Sequence, residues 1–133
     1  MKRKFVVDAG VLTLFYAGDS RVKPYFGGIK DAETGGYVSS INLSEHYYKT
    51  CQKLGKEVAD LRYHQSMTIL TSTDTDEGLT LAAGLEKCRR TQLSLADCFA
   101  LALTKRLKGT LLTTDSELAK VKEITVKHFD VRV

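Results

Sequence analysis

The chain has 133 residues, enough for one domain with a real core but hardly for two. Its 43% hydrophobic and 27% charged composition is that of an ordinary soluble protein, and no apolar run approaches the ~20 residues of a membrane span. A net charge of +4 leans toward a polyanionic partner without proving one, and no stripe of interleaved aromatic and basic residues marks a single-strand-binding surface.

The chain opens MKRKFVVDAGVL, a basic start and a short apolar run like the beginning of a signal peptide. Asp8 interrupts that run and no small-residue cleavage site follows, so the expected location is the cytoplasm. Lys4 to Val7 reads as a buried strand ending at Asp8. Val11, Leu12, Leu14 and Phe15 then repeat at helical spacing, and Gly18, Asp19 and Ser20 break the helix. Arg21 to Thr34 reads as a weaker helix, with Pro24 in its first turn and Gly35-Gly36 at its end.

Tyr37 to Ile41 is the expected second strand. Asn42 caps the next helix, with Glu45 three residues on, and that helix stops near Gly55. Lys56 to Ser66 continues as a helix with Val58, Leu61 and Tyr63 inward, and Met67 to Leu70 is a third strand. Asp74 with Glu77 repeats the capping signature before Leu81, Leu85 and Cys88 at i, i+4, i+7. Ser94 caps a helix that runs to about Lys108, where Gly109 takes a left-handed conformation and ends it. Thr110 to Thr113 is a buried strand, Asp115 opens a further helical turn, and Ile124 to Phe129 is the last strand. Three cysteines (Cys51, Cys88, Cys98) sit at no metal-binding spacing, and Cys88 and Cys98 are expected in the core.

Short apolar strands alternating with helices imply an α/β fold. We expect a three-layer α/β/α sandwich around a central, mainly parallel, four- to five-stranded sheet, with residues 1–133 forming a single domain. In such a sheet, helix N-termini and strand carboxyl ends share one edge, where ligands bind. Asp8, Glu45, Asp97 and Asp115 all fall on that edge by this reading. Acids favour helix N-termini anyway, which explains any one of them singly. It explains four together less well, because Ser94 and Asn42 are neutral caps and no Lys or Arg lies within three residues of Asp97 or Asp115. Clustered carboxylates raise one another's pKa unless a cation is present, and a hard divalent ion such as Mg²⁺ or Mn²⁺ meets that need. The histidines His46, His64 and His128 are dispersed, which argues against Zn²⁺. Such a metal activates water against a phosphodiester. His46 is expected to pack or lie at the surface, and Lys49 and Lys53 share a helix face with Glu45.

These residues resemble a PIN domain. VVDAGVL resembles its first acidic motif, INLSEHYY its second, LSLADCFALAL its third and LLTTDSEL its fourth, in order along the whole chain. A chain of this size is similar to the VapC toxins of prokaryotic toxin–antitoxin pairs. The resemblance implies a Mg²⁺- or Mn²⁺-dependent endoribonuclease, a homodimer, held inactive by an antitoxin protein. It makes Asp8, Glu45, Asp97 and Asp115 the catalytic metal ligands and Thr113 a hydroxyl supporting them. One departure is plain: the motif continues from its Asp with hydroxyl or polar residues, whereas Ala9 and Gly10 follow Asp8, so a hydroxyl near the metal is missing.

Rival readings are weaker or remain open. An aspartyl-phosphate phosphatase needs a second Asp where Gly10 stands. A phosphoacceptor receiver needs paired acids where Lys2, Arg3 and Lys4 precede the first strand, and no glycine-rich phosphate loop leads into a helix. A non-enzymatic PIN-like module binding RNA or protein, and an RNA-processing nuclease without an antitoxin, stay as alternatives.

Overall fold

The computed structural model describes residues 2–131, so the two ends of the expected 1–133 domain lie outside the described residues. In chain order the elements are β1 (Lys4–Val7), α1 (Ala9–Tyr16), α2 (Lys23–Lys30), β2 (Gly35–Ser39), α3 (Ser40–Leu54), α4 (Lys56–Ile69) and β3 (Thr71–Thr73). They continue with α5 (Glu77–Arg89), α6 (Leu95–Leu107), β4 (Thr110–Thr113), a 3₁₀ turn (Leu118–Lys120) and β5 (Thr125–His128). The order of strands and helices is the one the sequence implies. The strands form one sheet in the order β3-β2-β1-β4-β5, and every pairing is parallel. Among the described residues, no helix is long and apolar enough to cross a membrane.

Both faces of the sheet are covered, which makes the α/β/α sandwich. Side chains alternate along β1, so Phe5 and Val7 join Leu112 on one face, with Val11, Leu12, Phe26 and Val38. Val6 and Leu111 face the other way, into a cluster with Leu79, Ala83, Leu101 and Leu103 from α5 and α6. Helix α6 is buried over most of its length because apolar side chains surround it on nearly every side.

The strand order decides where a ligand can sit. From β1 the chain winds outward through β2 to β3, then returns over the sheet through α5 and α6 to β4 on the opposite side of β1. The loops leaving β1 and β4 therefore diverge and open a crevice at their carboxyl ends. Asp8 follows β1 and Asp115 lies two residues beyond β4.

Several boundaries differ from the sequence reading. Helix α2 closes at Lys30, with Ala32 at φ 59, and Gly35 and Gly36 are the first residues of β2 rather than a helix stop. Ser39, not Asn42, caps α3, its Oγ accepting from Asn42 N–H at 3.0 Å. Glu45 thus falls in the second helical turn. Helix α4 absorbs Met67 to Ile69, and the third strand is Thr71–Thr73. Asp76, not Asp74, caps α5 through Leu79 N–H at 2.7 Å.

The inward face of α5 also differs. Leu79, Ala83 and Glu86 are buried, whereas Leu81 and Leu85 are 66% and 49% exposed and Cys88 is exposed. Leu61 and Tyr63 are 57% and 37% exposed, with Ala59 and Ser66 inward in their place. Cys98 is in the core as expected. Lys108, not Gly109, is the left-handed residue ending α6, at φ 53. Gly109 is needed for another reason: a Cβ there would stand 2.7 Å from the Lys4 carbonyl oxygen on β1.

Candidate active site

Asp8 is the N-cap of α1. Its Oδ1 accepts from Val11 N–H at 2.9 Å, and its Oδ2 accepts from the Thr113 hydroxyl at 2.5 Å and from Thr114 N–H at 3.3 Å. The carboxyl is buried, and burial pushes its pKa up to about 6. The Thr113, Val11 and Thr114 donors oppose that rise, and the charge of Asp97 adds to it.

Asp97 sits in the first turn of α6 but does not cap it. Ser94 does, its Oγ accepting from Asp97 N–H at 3.1 Å. The Asp97 carboxyl is held above the ordinary range, chiefly by burial and then by the charge of Asp115; the Ser94 hydroxyl opposes this and Glu45 adds to it. Asp97 thus interacts electrostatically with Asp8, Asp115 and Glu45.

Asp115 lies beyond β4, with Oδ2 accepting from Leu118 N–H at 2.7 Å at the head of the 3₁₀ turn. Its own N–H donates to Thr113 Oγ1 at 2.9 Å, so one threonine hydroxyl ties the two strand-end acids together. Glu45 reaches the cleft from α3, and Lys49 Nζ stands 3.3 Å from its Oε2. Asn42 braces this helix against α6. Its amide accepts from the Ser39 hydroxyl at 2.5 Å and donates to the Ala96 carbonyl at 3.2 Å.

All four acids line one cleft of about 330 Å³, together with Ala9, Gly10, Lys49, Ser94 and Thr114. The sequence reading had placed them on a common edge, and the structure brings them to one crevice. The Asp8 and Asp115 carboxylates accept protein N–H donors, that of Asp97 engages the Ser94 hydroxyl and that of Glu45 pairs with Lys49, and among the described residues no three acid, histidine or cysteine side chains close on a single point. His46 is outside the cleft. It is buried and stacks on Tyr16 with ring centroids 5.6 Å apart, and burial, with Arg62 nearby, lowers its pKa to about 4.

The space at Gly10 is filled from across the cleft. A Cβ built on Gly10 would overlap the Thr114 hydroxyl and stand 3.0 Å from the Thr114 Cβ. Ala9 and Gly10 bring no hydroxyl to this side of Asp8, and the Thr114 hydroxyl stands against Gly10 instead. Sequence reasoning missed Thr114 and the bracing role of Asn42. An amide one turn inside a helix, beyond a serine able to cap it, was the available signal for Asn42.

The sequence pattern of the PIN domain matches residues 5–124. The chain belongs to the PIN-domain family. No curated relative matches it by sequence. Among solved structures, the fold is similar to that of the DNA-bound VapBC of Salmonella typhimurium, with a TM-score of 0.77 at 15% identity over 95% of this chain and 98% of that one. It is also similar to VapBC2 of Rickettsia felis bound to a promoter DNA fragment, with a TM-score of 0.73 at 16% identity over 96% and 99% of the two chains. A third likeness is to VapC20 of Mycobacterium tuberculosis, a toxin that cleaves the sarcin–ricin loop, with a TM-score of 0.68 at 17% identity over 87% and 92%. At such identities the likeness shows a shared PIN fold. In this PIN domain Asp8, Asp97 and Asp115 stand at strand ends and helix starts, and Glu45 in the second turn of α3.

Proposed function

We propose that this PIN domain is a divalent-metal-dependent endoribonuclease, acting as the toxin of a VapBC-type pair. The observation that carries the reading is Asp97, a half-buried carboxyl raised by burial and by its acidic neighbours in a crevice shared by four acids. Such a cluster keeps its charge at neutral pH when a cation joins it. The donor set is carboxylate oxygen throughout, which fits Mg²⁺ or Mn²⁺. Asp8, Glu45, Asp97 and Asp115 would hold the ion, which supplies an activated water and offsets charge on the phosphate.

The chain's own groups prepare the site. Thr113 holds the Asp8 carboxylate by its hydroxyl and, through Asp115 N–H, sets the turn that carries Asp115. Asn42 fixes the start of α3 against α6 and so sets Glu45 relative to Asp97. Lys49, at the rim, offers an ammonium group to phosphate.

Solved neighbours that are toxin–antitoxin complexes support an antitoxin protein as partner. Leu81 and Leu85, one turn apart and exposed on α5, suit a protein contact, and a homodimer is the arrangement we assign to them. The cytoplasm is the location this reading requires, since RNA is the substrate.

The test is cleavage of a mixed RNA pool with Mg²⁺, Mn²⁺ or EDTA, wild type beside Asp97→Asn. Metal-dependent cutting that the substitution abolishes is the expected result. A folded, inhibitor-free sample that cuts in no metal would leave an RNA- or protein-binding module. Cutting that survives Asp97→Asn would remove Asp97 from the site.

A further inference from the structure

Among the described residues, one hydroxyl of the site has no hydrogen-bond partner. The side-chain donors of the site are Lys49, Ser94 and Thr114. Lys49 is paired with Glu45, and the Ser94 hydroxyl is engaged with Asp97. Thr114 uses its backbone, N–H to Asp8 and carbonyl to His128, but its Oγ1 makes no hydrogen bond among the described residues. That hydroxyl lies against the Cα of Gly10, in space that any larger residue at position 10 would take. The rest of the lining is chiefly carboxylate, which accepts hydrogen bonds and repels an anion. Lys49 at the rim meets the phosphate with charge, and Thr114 adds a neutral hydrogen-bond donor on the wall itself.

We propose that Thr114 Oγ1 donates a hydrogen bond to a non-bridging oxygen of the RNA phosphate, and that Gly10 is glycine so that this hydroxyl can enter the cleft. The assignment rests on the nuclease reading above and adds a substrate-contacting residue to it. Position 10 and position 114 form one unit: the missing side chain on α1 is the room for the hydroxyl that follows β4.

The experiment compares Thr114→Val, Thr114→Ser, Gly10→Ala and the double variant Gly10→Ala with Thr114→Gly. Four quantities are read: kcat and KM on a mixed-sequence RNA in Mn²⁺, Mn²⁺ affinity without RNA, and the thermal midpoint. Thr114→Val, which keeps the shape and removes the donor, lowers kcat/KM by about ten- to hundredfold with Mn²⁺ affinity and midpoint unchanged. Thr114→Ser stays within about threefold of wild type. Gly10→Ala loses both midpoint and cleavage, because its methyl displaces Thr114. The double variant recovers the midpoint but not the cleavage, which separates the overlap from the hydroxyl.

Wild-type cleavage by Thr114→Val overturns the proposal and leaves the nuclease reading intact. Equal losses in the Val and Ser variants, together with weaker Mn²⁺ binding, also overturn it, because the role would then be structural. A wild type that cuts RNA in no metal overturns the nuclease reading and this assignment with it.

Discussion

Thr113 joins the two strand-end acids: its hydroxyl donates to Asp8 Oδ2 at 2.5 Å and accepts from Asp115 N–H at 2.9 Å. The residue is fully buried at the end of β4, so this hydroxyl has no water to fall back on. It lowers the Asp8 pKa against the larger effect of burial. Thr113→Val leaves a buried carboxylate and a backbone N–H each short of a partner. We expect a loss of about 1–3 kcal/mol of stability by chemical denaturation, and an Asp8 pKa higher than in the wild type. Thr113→Ser restores both; a Val variant as stable as wild type would refute the link.

Stability of the metal-free protein should carry two opposite pH dependences. Asp8 has its pKa raised in the folded state, from 3.8 to about 6, so the fold binds its proton more tightly than the unfolded chain. That contribution is complete at low pH and is lost as pH rises from about 4 to about 6, a change of roughly 3 kcal/mol. His46 has its pKa lowered, from 6.5 to about 4, so the fold disfavours its proton. Its contribution is complete above pH 6.5 and is lost as pH falls toward about 4, again by roughly 3 kcal/mol. The two oppose each other in the wild type, with the raised Asp97 pKa adding to the Asp8 side. Asp8→Asn therefore uncovers an acid-side loss, and His46→Gln uncovers a loss on going to neutral pH. Urea titrations at pH 4.5, 5.5 and 7, read as midpoints, check both signs; parallel curves for all three proteins would refute them.

Asn42→Leu fills the same buried volume but removes the brace to Ala96. The Ser39 hydroxyl loses its acceptor and α3 loses its fixed start against α6. We expect about 1–3 kcal/mol of destabilisation. Cleavage of RNA at a temperature where the variant is fully folded should fall as well, because Glu45 and Asp97 are carried by the two helices the brace joins. Unchanged cleavage in a destabilised variant would confine Asn42 to a role in the fold.

The end of α6 offers a paired test. Gly109→Ala drives a methyl to within 2.7 Å of the Lys4 carbonyl and should lower the thermal midpoint, since neither backbone can move without breaking the β1–β4 pairing. Lys108→Gly removes the side-chain penalty of a left-handed residue at φ 53 and should raise stability by up to about 1 kcal/mol. Opposite signs at adjacent positions are the expected reading of a calorimetric scan.

Apolar runs, glycine stops and capping side chains act over a few residues, so the order of strands and helices is legible along the chain. The sequence also placed Asp8, Asp97 and Asp115 where strands end or helices begin, while Glu45 stands one turn deeper in its helix than the sequence suggested. Tertiary structure decided what depends on distant neighbours. Helix α5 has leucines on more than one side, so its spacing does not select a face; packing against α6 and the sheet chose Leu79 and Ala83 and left Leu81 and Leu85 outside. Ser39 and Asn42 are both able to cap α3; in the fold Ser39 does so, and the Asn42 amide reaches the Ala96 carbonyl, 54 positions away. The strand order put β4 beside β1, and only that placement laid the Thr114 hydroxyl over Gly10. Local chemistry sets which groups reach the edge of the sheet; the crossover from β3 back to β4 sets which of them meet.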